Sequence, residues 1–314
     1  MDSPNSRPAP WQITVILAIG MIAASTAAIL IRLAFDAAGH QGVAISLVLA
    51  ASRLIFSALL IVPAWRGIHA IAPSRPAILF SMAAGLSLAL HFAAWITSLS
   101  YTSIAASTAL VTTNPIWVAL VAYVWFREIP SRQTLWGMGM AIAGSFIITL
   151  GSTTTPLSSA PHPLLGNGLA LLGAWAVSFY LLCGREAQRR GLQIGHHLAI
   201  TYTTAAVILS VMPLAIGASY TAYPQAVYVY IILMAIFPQL IGHSSFNWAV
   251  RWISPTLVTL TILAEPIGAG ILGFLVFREQ PGMTVIIGAG VILLGVAIAA
   301  LGAPSRSSSR PNAS

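Results

Sequence analysis

SPTLVTLTILAEPIGAGILGFLVF, residues 254–277, is an apolar run with a carboxylate and a proline, Glu265 and Pro266, near its middle. Roughly 20 residues at about 1.5 Å rise cross the hydrocarbon core, so this stretch spans a bilayer as a helix. Glu265 then falls near the midplane. An ionised acid there costs roughly 2.5–3.5 kcal/mol on insertion scales, so it must face protein or water and not lipid. It is the leading functional candidate for that reason. An upstream stretch, SIAASTALVTTNPIWVALVAYVWF at 103–126, sets Pro115 opposite Pro266 and Asn114 opposite Glu265 when shifted by 151 positions.

The match continues without a gap. Phe126-Arg127-Glu128 falls on Phe277-Arg278-Glu279 and Pro130 on Pro281, while Gly137, Gly139, Gly144 and Gly151 fall on Gly288, Gly290, Gly295 and Gly302. Matches among Pro, Gly and charged residues at fixed spacing are not the chance similarity of apolar segments. The chain is 58% hydrophobic and 6% charged over 314 residues, which together with its successive apolar runs marks an all-α, multi-pass membrane protein. Ten spans are expected, at 11–33, 43–65, 76–98, 103–126, 132–151, 164–184, 197–217, 226–249, 254–277 and 282–303. The uncharged stretch STTTPLSSAPHP, 152–163, divides them into repeats at 11–151 and 164–303, between tails at 1–10 and 304–314. Five is odd, so the second repeat enters the membrane inverted, an arrangement that puts a substrate site at the repeat interface.

All 14 basic residues are arginines, against six acids. With a cytoplasmic N-terminus, Arg7, Arg66, Arg75, Arg127, Arg132, Arg185, Arg189, Arg190, Arg251, Arg306 and Arg310 lie inside, while Arg278 and Arg32 lie outside. That bias is the positive-inside signal, so both termini are expected in the cytoplasm of an inner or plasma membrane, and the positive charge is not a nucleic-acid footprint. The first run exceeds a signal-peptide core and reads as an uncleaved span. Cys183 stands alone, which excludes an intrachain disulfide and a cysteine metal cluster.

At LHFAAWITSLSYTSIAASTALVTTNPIWVAL (90–120) with REIPSRQTLWGMGMAIAG (127–144), and PQLIGHSSFNWAVRWISPTLVTLTILAEPIGA (238–269) with REQPGMTVIIGAGVILLG (278–295), the chain resembles the ten-span EamA-type permeases of the drug/metabolite transporter superfamily. The resemblance covers nearly the whole chain. It implies a pseudosymmetric bundle around a central cavity that moves small metabolites by alternating access. It does not name the substrate, since members handle amino acids, nucleotide-linked metabolites and cationic drugs. The small four-span relatives use an acid in their first span, which this chain lacks between Trp11 and Leu33.

The site candidates are polar residues that a span does not readily hold. Pro115 and Pro266 lack an amide hydrogen and break the helical hydrogen-bond ladder, each marking a hinge, a hydrated site or a static kink. Pro63, Pro213 and Pro238 read as kinks. Thr261, Gly268 and Ala269 share a face with Glu265, and Asn114 with Trp117 forms the matching neutral, aromatic wall. Gln239, His243 and Asn247 follow at spacings of four, as do Ser87, His91 and Trp95, giving two polar stripes that face a wet interior or bond between helices. Arg53, ten residues into its span, snorkels, pairs with Glu265 or binds a substrate carboxylate. Arg32 is expected to pair with Asp36, and Arg127–Glu128 and Arg278–Glu279 to cap span ends. Glycines at 137, 144, 151 and 288, 295, 302 form seams for close packing, with a homodimer contact as another use.

No HExxH, GxSxG, paired intramembrane aspartates or GxxxxGKS occurs, and lysine is absent. The expected protein is therefore no enzyme or ATP-driven pump, with no cofactor or metal. It is a secondary permease, an exporter in the favoured direction, of a small organic solute, with proton coupling at Glu265. The competing class is a non-transporting membrane receptor or assembly subunit.

Overall fold

The third apolar run shows how the sequence meets its solvent. In the computed structural model, Leu79, Met82, Leu86 and Leu90 point outward along one face of its helix, while His91, Phe92 and Trp95 are buried on the other. Apolar outside and polar inside inverts the pattern of a water-soluble helix, as expected where the surroundings are lipid. The structure describes residues 8–68, 72–102, 107, 110–111, 113–151, 162–221, 223–278 and 283–301.

The helices are α1 (Pro10–Ala38), α2 (Val43–Leu60), α3 (Arg75–Ser98), α4 (Asn114–Phe126), α5 (Arg132–Gly151), α6 (Pro163–Arg189), α7 (Ile194–Ala215), α8 (Gln225–Ala249), α9 (Pro255–Ile262), α10 (Glu265–Phe277) and α11 (Met283–Leu301). A 3₁₀ turn, Val62–Trp65, follows α2 and holds Pro63. Among the described residues there is no strand. Seven segments are long and apolar enough to cross a membrane, with α9 and α10 together forming one of them, and shorter apolar helices accompany them. The protein is a multi-pass membrane protein. Residues 103–106, 108–109, 112, 152–161 and 302–314, which include parts of the expected fourth span, the linker and Gly302, lie outside the described residues.

The internal repeat reappears as repeated geometry. Helices α4 and α10 start at Asn114 and Glu265 and stop at Phe126 and Phe277, 151 positions apart at both ends. Each is closed by an arginine in the left-handed region, Arg127 at φ +55° and Arg278 at φ +59°. For a residue with a Cβ such a conformation costs roughly 1–3 kcal/mol, and both halves bear it at the same place.

Glycines set the tightest crossings. A Cβ on Gly137 would stand 2.4 Å from the Gly295 carbonyl, and one on Gly144 would stand 2.7 Å from that of Gly288. Rising numbers on α5 meet falling numbers on α11, so these equivalent helices pack antiparallel. The seams face each other within one chain, and a contact between copies would use another face. Helix α3 crosses α6 where Gly173 meets Trp95, and Gly166 meets Thr102 just beyond the end of α3. Helix α1 crosses α8 in the same antiparallel sense where Gly20 meets Ser245 and Gly242 meets Ala24. Gly268 serves packing too: a Cβ there would fall 2.2 Å from Ser25 Oγ on α1.

Candidate functional site

Both prolines act as helix starters. Pro115 and Pro266 occupy the first turn of α4 and α10, where the missing amide hydrogen removes a donor that has no intrahelical partner anyway. In the second half the break is visible on both sides. Helix α9 ends at Ile262, Leu263 and Ala264 turn, and α10 begins at Glu265. That break is a two-residue turn across which Leu263 N–H still donates to the Thr259 carbonyl and Ala264 N–H to that of Thr261. In both halves a polar residue stands at the start of the helix that carries the proline. The macrodipole there favours negative charge by roughly 0.3–1 kcal/mol, which suits Glu265. Ser25 Oγ on α1 donates to the Glu265 carbonyl at 3.1 Å and fixes the turn.

Asn114 and Glu265 line one small cavity of about 60 Å³. Val111 and Ile262, the residues three positions before them, line it as well. Helices α1 and α6 contribute pairs of apolar residues, Ala24 with Ala27 and Val177 with Leu181. Helices α3 and α8 contribute one histidine each, His91 and His243, whose ring centres are 6.4 Å apart. Nearly every wall therefore has its counterpart in the other half. Arg53 on α2 is the exception, since no residue of α7 lines the cavity. The two charged groups, Arg53 and Glu265, are what breaks the symmetry.

Arg53 is wholly buried. Its guanidinium lies 4.1 Å over the ring of Phe92, and Nη2 donates to Gln239 Oε1 at 3.0 Å. Snorkelling is thereby replaced by a fixed inward placement. His91 Nδ1 donates to the Gly173 carbonyl at 2.9 Å, which leaves Nε2 of the neutral ring as an acceptor. Its ring stacks on Trp95 at 5.8 Å. Trp95 Nε1, Asn114 Oδ1 and His243 Nδ1 are buried and have no hydrogen-bond partner among the described residues.

Six of the eight expected polar residues, Arg53, His91, Trp95, Asn114, His243 and Glu265, thus converge on the cavity, and Gln239 and Asn247 do not line it. Gln239 stands behind Arg53. Asn247 belongs to a second network, donating to the Tyr180 hydroxyl while its Oδ1 meets His197 Nε2 at 3.2 Å. His197 Nδ1 meets Ser81 Oγ at 2.9 Å, so α3, α6, α7 and α8 are joined through buried polar groups. The α-helical stripe drawn through Gln239, His243 and Asn247 is broken between Gln239 and His243, because Ala235–His243 is a π-helix around Pro238. Pro238 itself lines the cavity. Trp117 does not, since its Nε1 donates to Thr113 Oγ1 at 3.2 Å and its ring stands edge-on to Trp175. Glu128 accepts from Arg185 on α6 at 2.6 Å. Arg32 lies over the ring of Phe277. The spacing rules overlooked Phe92, Phe246, Tyr180 and Tyr202. The only signal for the tyrosines was a hydroxyl inside an apolar span.

The EamA-like transporter family model matches the chain twice, over residues 11–150 and again over 164–301. The chain belongs to the EamA-like transporter family. One member-like relative is the thiamine-repressible mitochondrial transport protein THI74 of Saccharomyces cerevisiae, 31% identical over 121 residues. That match covers 38% of this chain and 33% of the yeast protein, so the chain spans only about a third of that relative's length. A solved crystal structure superposes with a TM-score of 0.71 over 94% of this chain and 98% of the other, at 18% identity, and shows the shared fold alone. The chain's two family matches coincide with the two halves seen in the helices. Among the described residues no cluster of His, Cys, Asp or Glu has the geometry to hold a metal ion.

Proposed function

We propose that this EamA-like protein is a secondary transporter, working as an exporter, that carries a small organic solute through the cavity between α4 and α10 by alternating access. Its ten spans form two inverted five-helix repeats with both termini in the cytoplasm. One observation carries the reading: two half-helices, 151 positions apart, start at polar residues that line the same cavity. Discontinuous helices at an inverted-repeat interface suit a site that must bind and release a solute, because their ends supply unpaired backbone groups and hinges.

Coupling is assigned to Glu265, the only carboxyl among the described residues that line the cavity. Proton binding at Glu265 alternates with solute binding, so a proton gradient drives the cycle. In proteoliposomes, Glu265→Gln should abolish solute flux driven by a pH gradient yet retain counterflow, which needs no net coupling, and the protein should stay folded. Gradient-driven flux at the wild-type rate in E265Q would remove Glu265 from the coupling role.

A further inference from the structure

The polar groups at the cavity and those around Asn247 are buried in opposite conditions. Trp95 Nε1, Asn114 Oδ1 and His243 Nδ1 at the cavity have no partner among the described residues. Asn247 uses its whole amide. Its Nδ2 donates to the Tyr180 hydroxyl and to the His243 carbonyl, and its Oδ1 accepts from His197 Nε2 at 3.2 Å. That leaves His197 Nδ1 to accept from Ser81 Oγ at 2.9 Å. Gln188 Nε2 adds a second layer, donating to the Asn247 carbonyl at 2.7 Å. A satisfied network of this kind holds the helices that supply it in one arrangement.

Its place in the bundle gives that rigidity a use. Ser81 precedes the cavity residue His91 on α3, and Gln188 follows the cavity residues Val177 and Leu181 on α6. The network therefore stands between the cavity and the end of the bundle that carries Gln193. Ser81, Tyr180, His197 and Asn247 have no exposure, so the passage on that side is shut. The other end is built differently. At the 151-position shift, Ser81, Tyr180, His197 and Asn247 correspond to Ile232, Ile29, Ser46 and Ile96. Among these four only Ser46 is polar, and it meets Ser100 Oγ at 3.3 Å.

Inverted repeats let the two ends open in turn by equivalent moves, so ends that differ in bonding differ in how readily they open. Resting on the reading that solute passes through this cavity, we propose that the Asn247 network is a lock. It keeps the Gln193 end closed at rest and comes apart each time the cavity opens there, while the end with isoleucines at the equivalent positions opens more readily. The lock is also joined to the cavity. Tyr180 hydrogen-bonds with Tyr202, whose hydroxyl donates to the Gln239 carbonyl at 3.2 Å, and the Gln239 side chain accepts from Arg53. Arg53 and the lock thus belong to one hydrogen-bonded chain that runs from α2 to α3.

Reaction of a cavity thiol from each side of the membrane tests this. Ala27→Cys, with Cys183→Ser, puts the thiol on the cavity wall, and Gln193→Cys in a parallel sample marks the locked side. Full-length protein in right-side-out and inside-out vesicles is treated with sulfonatoethyl methanethiosulfonate, a small impermeant thiol reagent. Without lock substitutions the cavity thiol should react faster from the side opposite Gln193. Asn247→Leu, which keeps the shape of the side chain, should raise its rate from the Gln193 side about ten-fold, the population shift expected from losing roughly two or three interhelical bonds in a membrane. Tyr180→Phe should raise that rate by a smaller factor. Faster reaction from the Gln193 side before any lock substitution overturns the inference, as does an unchanged Gln193-side rate in both lock variants. An equal rise from both sides also overturns it, because that is general loosening. Where Asn247→Leu does not fold, Tyr180→Phe, which deletes one oxygen, decides. Counterflow of any solute in proteoliposomes would leave the transporter reading standing while the lock falls, whereas no flux of any solute would sink that reading itself.

Discussion

Arg53 and Gln239 come from helices 186 positions apart in sequence and form one unit, a charge and the amide that aims it. A hydrogen bond to a charged group contributes roughly 1.5–3 kcal/mol, and Gln239 supplies it from a position with no exposure. Gln239→Leu should therefore lower stability by about that amount, read from denaturant unfolding in detergent, and weaken solute binding as the guanidinium loses its orientation. Gln239→Glu separates the two effects. Its carboxylate answers Arg53 from within, so stability should match or exceed wild type while solute binding is lost. If Q239E binds solute normally, the charge of Arg53 is not what the solute reads. At this scale the sequence is informative about charge and nearly silent about direction. Glu265 and Arg53 are conspicuous because a bilayer penalises them wherever they point. The role of Gln239, by contrast, depends on which helix lies opposite, and residue spacing within its own span carries no trace of that.

Between single residues and the whole bundle, the glycines decide which helices approach and what fits between them. On α6, Gly184 has no side chain where a Cβ would sit 2.6 Å from Asn247 Oδ1 and 2.9 Å from His197 Nε2. Its absence is the space in which these two groups meet. The network they hold runs from Ser81 to Tyr180 and ties α3 and α7 to α6 and α8. Gly184→Ala must push it apart, and overpacking of this kind costs roughly 1–3 kcal/mol. Gly168 on the same helix has nothing within 4 Å. There alanine gains helix propensity, roughly 0.8–1 kcal/mol, less whatever a lipid-facing position discounts. Thermal unfolding of the two variants side by side should show G184A clearly below wild type and G168A level with it or above; equal behaviour would mean that the notch is not under load. This network was illegible in sequence for a definite reason. Counting four residues from His243 puts Asn247 on the same face, and Ser244–Ala249 is indeed α-helical. That Asn247 meets Tyr180 and His197 depends on how α6 and α7 pack against α8, which spacing within one span does not carry. The glycine seams of α5 and α11 were legible because both helices are regular there and the seven-residue spacing holds.

For the molecule as a whole, the proposed transport cycle turns on halves related by inversion. Helices α5 and α11, equivalent by the 151-position shift, pack antiparallel through their glycines, as inversion requires and as a parallel repeat would not permit for two neighbouring equivalent helices. Inversion lets one set of contacts serve two states, because whatever the first half does facing one side, the second can do facing the other. It also has a consequence that labelling can read. The turn between α1 and α2 contains His40, and the turn between α6 and α7 contains Gly191, its equivalent at the same shift, followed by Gln193. Both His40 and Gln193 are exposed. Inverted halves put these equivalent turns on opposite faces of the membrane. Cys183 is buried and is replaced by serine to clear the background. In intact cells a membrane-impermeant maleimide should then label His40→Cys, whereas Gln193→Cys should react only after permeabilisation. Labelling of both from the same side would make the repeats parallel and remove the physical basis for alternating access, even with the cavity and its two charges unchanged. The arginine distribution independently favours the first outcome, since Arg185, Arg189 and Arg190 crowd the Gln193 side and none lies between α1 and α2.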